Sequence, residues 1–429
     1  MQLTKFSNIN GALAAATCTL LAGVSNAQAD EKSNDWQFDT AIMYYGEPDR
    51  VQAVEGVVSA TKDFGDEHVF STKLVLDTLT GASANGAVAQ TSAQTFTRPS
   101  GNGEYTIEAG DTPLDDTFRD TRVQLNLAWN QPWGANQKVG AGLHISNEYD
   151  YLSVALNANY ALDFNRKNTT FSVAASYAAD EYSPEGGIPL ALSKMAIRSD
   201  FANEDAFKAG FDDTRIGESE NKDTLDVIFG LSQVINRRWL VQFNYGYSQV
   251  DGYLTDPFKV VSLVDDTGSA LGHYYESRPD SRSKHSIFAQ SKYHFDSLIW
   301  DMSYRLASDD WGIDSHTLES RLYIPLSDSA WITPHVRYYQ QSAADFYRPF
   351  VQGDLAEYMS ADYRIGQMTA YTLGLKYTQK LSDGDELSMR LEYYQQTPEN
   401  SGFSNPGQLA DVDLYPSVSA VIFQLGYKF

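Results

Sequence analysis

The chain has 429 residues, of which 42% are hydrophobic, 13% aromatic and 21% charged, and its formal net charge is -24. This acidic balance excludes a basic nucleic-acid-binding protein, because contacts to phosphates need an excess of Lys and Arg. The one cysteine excludes a disulfide scaffold and a cysteine-ligated zinc site. The aromatic content argues against a disordered chain, and the mean hydropathy of -0.39 is too polar for a helical membrane protein.

Residues 1–29 have the features of a secretory signal peptide. Lys5 supplies a positive charge, an apolar stretch follows at 9–24, and Ala27-Gln28-Ala29 fits a cleavage site. We therefore expect Sec-type export and a mature chain of residues 30–429. The alternative is an uncleaved anchor, but the apolar stretch is short for a membrane span. Cys18 lies inside this segment, so the mature chain would contain no cysteine, which suits an oxidising compartment.

Apolar and polar residues then alternate along much of the chain. In 241–248, for example, Val, Phe and two Tyr alternate with Gln, Asn, Gly and Ser. Successive side chains of a strand point to opposite faces, so each such stretch predicts a strand with one apolar and one polar face. Sixteen strands are predicted, at 36–45, 51–62, 67–79, 118–131, 137–149, 151–163, 168–179, 223–235, 239–250, 284–296, 298–309, 314–326, 331–341, 369–381, 386–397 and 416–429.

The length of these stretches favours a membrane barrel over a soluble sandwich. Sandwich strands usually have about 5–6 residues, whereas a tilted membrane-crossing strand needs about 10. Aromatic residues such as Trp129, Trp239 and Trp300 stand near the predicted strand ends. Their amphipathic rings favour the level of the lipid headgroups.

The predicted connections fall into two classes that alternate along the chain. One side of the barrel has short turns, and the other has the long segments 80–117, 180–222, 251–283, 342–368 and 398–415. Short periplasmic turns and long extracellular loops are typical of bacterial outer-membrane barrels. The sequence therefore predicts an all-β fold, in which 30–429 forms one transmembrane antiparallel up-and-down β-barrel of about 16 strands in the outer membrane of a Gram-negative bacterium.

The C-terminus ends in an alternating aromatic strand. Phe423, Leu425, Tyr427 and Phe429 share one face up to the last residue. This pattern resembles the terminal motif by which the barrel-assembly machinery recognises outer-membrane proteins. We therefore predict that these four residues are an assembly signal.

Three segments carry a family resemblance: Leu79–Ala87, Ser146–Tyr151 and Tyr347–Phe350. They resemble an uncharacterised bacterial outer-membrane family, domain of unknown function 3570, over essentially the whole mature chain. The resemblance implies an outer-membrane barrel and no known activity. Genes of this family are associated with flavin-transfer and thioredoxin-like genes, so the resemblance also implies an exported redox protein as a partner.

The polar faces of the later strands carry a set of charges predicted to line the lumen. A barrel of 16–18 strands leaves an aqueous channel. A basic wall opposite an acidic outer loop folded inward, such as Asp212-Asp213, Glu218–Glu220 or Asp265-Asp266, would select solutes by charge. The alternative is a set of Arg–carboxylate pairs that brace a closed lumen. The wall residues, which Asp301 accompanies, are Lys292, Arg305, Glu319, Arg321, Arg337, Lys376, Arg390 and Glu392.

The favoured function is therefore a porin-like channel or transporter for small solutes. A non-conducting barrel that acts as the structural partner of an exported redox system is one alternative, and a surface enzyme of phospholipase or protease type is another. The long segment 342–368, with a short helix expected at 354–359, either folds into the mouth as a constriction or remains a solvated external loop.

Candidate catalytic residues lack the surroundings that their chemistry needs. His144 and Ser146 have the spacing of an outer-membrane phospholipase dyad, but the alternation turns both toward the lumen. His273 and His316 lie near Asp-rich loops, as in outer-membrane proteases, although such proximity is common in so acidic a chain. We therefore predict no catalytic residues.

Metal and cofactor signals are equally limited. Asp212-Asp213 and 265–269 could supply oxygen ligands to Ca²⁺, but they lack EF-hand spacing and are more simply solvated loops. No phosphate-binding Gly loop and no haem-attachment motif occurs. No metal site and no cofactor are predicted. The expected partners are outer-membrane lipid, lipopolysaccharide whose phosphates divalent ions could bridge to the acidic loops, the barrel-assembly machinery and small solutes.

Overall fold

The computed structural model describes residues 36–381 and 384–429. Sixteen antiparallel strands form a closed barrel, in which each strand pairs with the next in the chain and the last pairs with the first. A closed barrel satisfies every backbone hydrogen-bonding group of the sheet, which lipid requires. The predicted fold class is therefore confirmed. The predicted signal peptide at 1–29 lies outside the described residues.

The strands are numbered in chain order, and six of them lie outside the barrel as three two-stranded hairpins: β4–β5, β10–β11 and β14–β15. Their bounds are β1 (Gln37–Gly46), β2 (Val51–Asp63), β3 (Val69–Ala84), β4 (Gln94–Thr97), β5 (Glu104–Ile107), β6 (Leu114–Pro132), β7 (Gln137–Asn147), β8 (Tyr151–Phe164), β9 (Thr169–Tyr182), β10 (Ile188–Pro189), β11 (Arg215–Gly217), β12 (Glu220–Asn236), β13 (Trp239–Gly252), β14 (Val260–Val264), β15 (Ala270–Tyr275), β16 (Ser281–His294), β17 (Ile299–Asp309), β18 (Asp314–Pro325), β19 (Ala330–Gln341), β20 (Met368–Lys380), β21 (Glu386–Pro398) and β22 (Val418–Lys428).

Each barrel strand presents its apolar residues outward. Ile42 is 62% exposed and Leu156 is 65% exposed, whereas the residues between such positions are largely buried or polar. This is the reverse of a soluble domain, since the solvent of the outer face is lipid. All sixteen predicted barrel strands are present at nearly their predicted positions.

The barrel closes between β1 and β22, with Asp39 opposite Lys428 and Gly46 opposite Val421. At the inner end the Phe38 amide donates to the Phe429 carbonyl at 2.8 Å, and the Phe429 amide donates back at 3.0 Å. The two rings stack with centroids 5.2 Å apart. The C-terminal residues predicted as an assembly signal thus complete the seam of the barrel, while their role in assembly stays a prediction.

Several strands extend further at the outer end than the alternation predicts. β3 continues to Ala84, where it pairs with Leu114 of β6, and β9 continues to Tyr182, where it pairs with Glu220 of β12. The apolar alternation stops where the lipid ends, but cross-strand hydrogen bonds continue beyond it. The sequence pattern therefore marks the membrane-spanning part of a strand better than its end.

The five long connections fold together over the outer end of the barrel. We call them the cap, and they comprise 85–113, 183–219, 253–280, 342–367 and 399–417. Buried apolar residues hold the cap together, including Val260 and Val264 of β14 with Phe96 of β4 and Phe350. Isolated bridges join its segments, such as Leu263 to Val351. The hairpins and the cap core were not predicted.

One α-helix, α1 (Glu204–Asp212), lies in the described part of the cap. The Asn203 side chain accepts a hydrogen bond from the Ala206 amide at 2.9 Å and caps the helix. Phe207 and Phe211, four residues apart, bury on one face. Within the described residues, no helix combines the length and apolarity that a bilayer crossing requires.

The segment 342–368 packs into the cap rather than remaining a solvated external loop, while its predicted role as a constriction of the mouth stays a prediction. Phe346, Met359 and Ile365 are buried. The short helix expected at 354–359 is absent, and a single 3₁₀ turn occurs instead at Tyr363–Ile365. Residues 354–358 form bends and irregular backbone, and Met359 bridges to Ser277.

Candidate functional site in the barrel lumen

The eight predicted wall residues all alternate with lipid-facing neighbours and therefore point into the lumen. The strand register brings six inward positions of β16–β21 into one row. Lys292 opposes Asp301, Asp301 opposes Arg321, and Arg321 opposes His335. The row continues through Gly374 to Glu392. The sequence alternation located these faces, but it did not identify His335 as a member.

His335 bridges two glutamates within the wall. Its Nδ1 lies 2.9 Å from Glu392 Oε1, and its Nε2 lies 3.2 Å from Glu319 Oε1. Glu319 also pairs with Arg321. Gly374 stands between His335 and Glu392 in the register, and a Cβ there would lie 2.7 Å from Glu392 Cγ. The absent side chain thus makes room for the Glu392 carboxylate to reach the imidazole.

Five cations of the wall have no carboxylate partner within the described part of the chain. They come from five strands, β16, β17, β19, β20 and β21, and no ion pair within 4.0 Å involves them there. Lys292 lies 5.1 Å from the Tyr323 ring centroid. Arg305 and Arg337 are exposed although they point inward, so this part of the lumen is open. The five are Lys292, Arg305, Arg337, Lys376 and Arg390.

The opposite wall, on β6–β13, is mostly polar and uncharged in its inner half, whereas Arg122, Asp180 and Asp226 lie in its outer half. The Asn159 amide donates to Asn130 Oδ1 at 3.3 Å, and His144 Nδ1 lies 2.8 Å from Asn126 Oδ1. Gly140 lies beneath this pair, where a Cβ would approach Asn159 Nδ2 to 2.5 Å. These polar side chains of the wall therefore hydrogen-bond to one another across neighbouring strands.

Most acidic residues of the predicted inward-folded loop lie in the cap and not in the lumen. Asp212, Asp213 and Glu218 are exposed residues of the cap, and the Asp265 carboxylate accepts hydrogen bonds within its own turn, from the Thr267 and Ser269 amides. Charged groups remain in water because burying them without partners is costly. Among the predicted acidic residues, Glu220 does face the lumen, as the first residue of β12.

A cavity of about 280 Å³ lies at the outer end of the lumen, between the barrel wall and the cap. We call it the outer chamber. Its floor and walls come from β8, β9, β12, β13 and β16–β19, and its roof comes from cap residues such as Arg278 and Arg364. Because it combines residues from opposite halves of the sequence, the chamber was not predicted.

A buried ion-pair network, here called the latch, joins the cap segments 253–280 and 342–367. Asp362 accepts from Arg278 Nη2 at 2.8 Å and from Arg364 Nε at 2.7 Å. Arg278 Nε lies 2.6 Å from Glu276 Oε1, and Arg364 Nη2 lies 2.7 Å from Asp256 Oδ2. Glu276 and Asp362 are 0% and 1% exposed. Burial opposes ionisation of Asp362, but Arg364 and Arg278 outweigh it and keep the pKa of the carboxyl well below its usual range.

Another charged group missed by the sequence reasoning lies on β2, β3 and β6. Arg122 Nε donates to Asp77 Oδ2 at 2.7 Å, and Arg122 Nη2 lies 3.7 Å from Glu55 Oε2. All three positions belong to inward faces of predicted strands, so the same alternation could have found them. This group braces its wall, as the predicted alternative of Arg–carboxylate pairs required.

The candidate catalytic residues are not assembled into a site. His144 and Ser146 both point inward, and no hydrogen bond joins them in the described coordinates. His273 is buried in the cap beside Ser262, with Nδ1 3.1 Å from Oγ. His316 lies on the outer face of β18, 2.6 Å from the Tyr304 hydroxyl. The described residues contain no group of three or more His, Cys, Asp or Glu able to hold a metal ion.

Comparison with solved structures finds outer-membrane proteins. A "Bacterial polysaccharide outer membrane secretin" shares 9% identity at a TM-score of 0.43, covering 93% of this chain and 100% of that one. CdiB from Acinetobacter baumannii shares 8% identity at a TM-score of 0.46, and the match covers 94% of this chain and 61% of that one. The "CymD monoaromatic hydrocarbon channel" shares 9% identity at a TM-score of 0.38, and the match covers 92% of this chain and 88% of that one. Such identities leave the function to be derived from this chain's own geometry.

A search of curated proteins finds no match. The family model described as "Protein of unknown function (DUF3570)" matches residues 10–429.

Proposed function

The chain belongs to the DUF3570 family, whose function is unknown, and we propose that it is a porin-like outer-membrane channel or transporter for small solutes whose outer mouth the cap closes. The unpaired basic wall carries this proposal. A cation that lacks a carboxylate partner stays charged only in water or beside a bound anion. The wall therefore supports a hydrated lumen, which a barrel of sixteen strands is wide enough to contain.

The charge distribution favours solutes with an anionic group. The inner part of the lumen has five cations on β16–β21 and a neutral wall of Asn, Gln and Ser opposite. Low-dielectric walls concentrate the field of such charges in the aqueous space between them. Rings of Arg and Lys favour anions in other pores by the same effect.

The cap gives the proposed path two states. Two of its segments, 253–280 and 342–367, roof the outer chamber, and the latch joins them. A solute could therefore cross the outer mouth only when the cap moves, and the latch sets how often it does so. We also propose that the chain is exported by the Sec route, is inserted by the barrel-assembly machinery through its C-terminal strand, and lies among lipopolysaccharide in the outer membrane of a Gram-negative bacterium.

Single-channel recording in planar bilayers tests this function. We expect anion-selective openings from the purified protein, and a reversal potential shifted toward non-selectivity in the double variant Arg305→Gln/Arg337→Gln. The matched control is Arg166→Gln, which removes an exposed arginine from the inner turn between β8 and β9. An absence of openings from both the wild type and the cap-loosened variant Asp362→Asn would remove the proposal.

A further inference from the structure

The outer chamber has two poles of opposite charge. One side carries four carboxylates from the turn between β7 and β8 and from β9 and β12, namely Glu148, Asp150, Asp180 and Glu220. The other side carries four cations from β16 and the cap, namely Arg278, Arg282, Lys284 and Arg364. Strand β13 separates β12 of the acidic side from β16 of the basic side, so the backbones of these two strands stand about 10 Å apart at the usual strand spacing of about 4.8 Å.

Most of the basic pole is already neutralised. Arg278 and Arg364 belong to the latch, and Arg282 Nε donates to Asp309 Oδ2 at 2.9 Å. Lys284 has no carboxylate within 4.0 Å among the described residues. It is therefore the cation of this pole that remains available to a ligand.

The acidic pole also keeps unused groups. Tyr151 and Lys222 contact Asp180 Oδ2 at 2.5 and 3.6 Å, but Asp180 Oδ1 is buried with no hydrogen-bond partner among the described residues. Glu220 has no cation within 4.0 Å among them. The Tyr253 hydroxyl at the boundary of the poles is likewise buried without a described partner. Buried polar atoms are rarely left unpaired, so each marks a place for a ligand or water.

Glu148 contributes little negative charge of its own. Burial, together with the carboxylate of Asp120, raises the pKa of Glu148 to about 8, so the side chain holds its proton at neutral pH. The anionic groups of the pole that face the chamber unpaired are then Glu220 and one oxygen of Asp180.

An apolar surface lies beside the basic pole. Trp311 and Ile313, from the turn between β17 and β18, line the chamber together with Leu254 and Ile365 of the cap, and the four pack in one apolar cluster. The cavity volume of about 280 Å³ lies just below the range for small-molecule sites, about 300–1,000 Å³. The site therefore suits a small solute with a short apolar body and excludes an oligomer.

We propose that the outer chamber binds a small amphoteric solute of the amino acid or dipeptide class. Its ammonium group lies at Asp180 and Glu220, its carboxylate lies at Lys284, and its apolar part lies against Trp311 and Ile365. This deepens the proposed transport function by naming the solute class. Binding of this solute is measured at equilibrium, so the test does not depend on any solute passing the membrane.

Calorimetric titration of the full barrel in detergent micelles tests the two poles separately. The probes are Gly-Leu, N-acetyl-Gly-Leu, which lacks the ammonium group, and Gly-Leu amide, which lacks the carboxylate. We expect Gly-Leu to bind and each blocked form to bind at least tenfold more weakly, because each loses a charge-assisted hydrogen bond. Equal binding of the three forms, or no binding of Gly-Leu, would overturn the proposal.

Variants locate the poles within the protein. Glu220→Gln should weaken the binding of Gly-Leu at least fivefold and leave the binding of N-acetyl-Gly-Leu unchanged. Lys284→Met should weaken the binding of Gly-Leu at least fivefold and leave the binding of Gly-Leu amide unchanged. The matched controls are Glu218→Gln, which is exposed, and Lys292→Met, on the same face of β16 about 27 Å away at about 3.4 Å per residue. Loss of binding in the controls as well would contradict the site. If the protein conducts ions but does not bind Gly-Leu, the proposed channel function stands and the proposed solute class is rejected.

Discussion

Asp362 is the residue whose change should loosen the cap most specifically. It accepts hydrogen bonds from both Arg278 and Arg364 while almost fully buried. Asp362→Asn keeps the size of the side chain and removes its charge, which leaves two buried guanidinium groups short of a partner. Removing one partner of a buried ion pair costs about 3–5 kcal/mol. At about 1.4 kcal/mol per tenfold, the ratio of open to closed cap should rise roughly 100- to 4,000-fold.

Hydrogen exchange of the backbone amides measures this opening directly. The Met359 amide donates to the Ser277 carbonyl at 2.9 Å, and the Ser277 amide donates back at 3.0 Å, so both are protected only while the two cap segments stay together. Exchange in peptides that contain them should accelerate in Asp362→Asn, whereas exchange in peptides from the barrel strand β20 should not change. The control Asp354→Asn lies in the same cap segment but is exposed.

Unchanged exchange at Met359 and Ser277 in Asp362→Asn would show that the latch does not hold the cap, and that apolar packing alone does. Equal acceleration in Asp354→Asn would show that the segment is loose regardless of the ion pairs. Acceleration that extends into β20 would mean that the cap and the barrel unfold as one unit. Each of these results contradicts the reasoning at a different step.

Two further predictions concern the wall and the chamber rim. Gly374→Ala places a Cβ 2.7 Å from Glu392 Cγ and should lower the free energy of unfolding by about 1–3 kcal/mol, measured by thermal unfolding. In the control Gly56→Ala the Cβ meets its nearest neighbour at 3.9 Å, so the stability should not change. Burial raises the pKa of Glu148 in the fold from 4.5 to about 8, so its contribution to stability is fully present below about pH 4.5 and is lost progressively as the pH rises to about 8. The wild-type Tm should therefore fall between about pH 5 and 8 and level off above that, and Glu148→Gln should flatten the fall.

The barrel could be read from the sequence because lipid imposes one simple rule on every spanning strand. Val241, Phe243 and Tyr245 face lipid, and the same parity that placed them outward placed Arg305 and Lys376 inward. Strand register then follows from short turns. The inward faces of the wall were therefore predictable, whereas the pairing of His335 with Glu392 needed the register across three strands.

The cap could not be read in the same way, because its segments bury their apolar residues against one another rather than against lipid. β14 and β15 carry a recognisable signal, since Val260–Val264 is a short apolar run that a turn with Gly268 at a φ of +81° separates from Ala270–Tyr275. Their burial depends on contacts with Val351 and Ala87, which no local pattern reveals. The position and size of the chamber depend in turn on how the cap packs against the barrel, which the local sequence does not reveal.

Arg278 and Arg364 belong to both the latch and the basic pole of the chamber. A carboxylate bound near Lys284 therefore lies in the field of the same guanidinium groups that Asp362 holds. Binding can shift the cap only by the difference between its affinities for the closed and the open state. In the closed state the solute meets the barrel groups of both poles and also Ile365 of the cap, in the field of Arg278 and Arg364, whereas in the open state these three cap residues move away and only the barrel groups remain. An amphoteric solute should thus stabilise the closed cap, and release should require the latch to break before the solute can leave toward the outside.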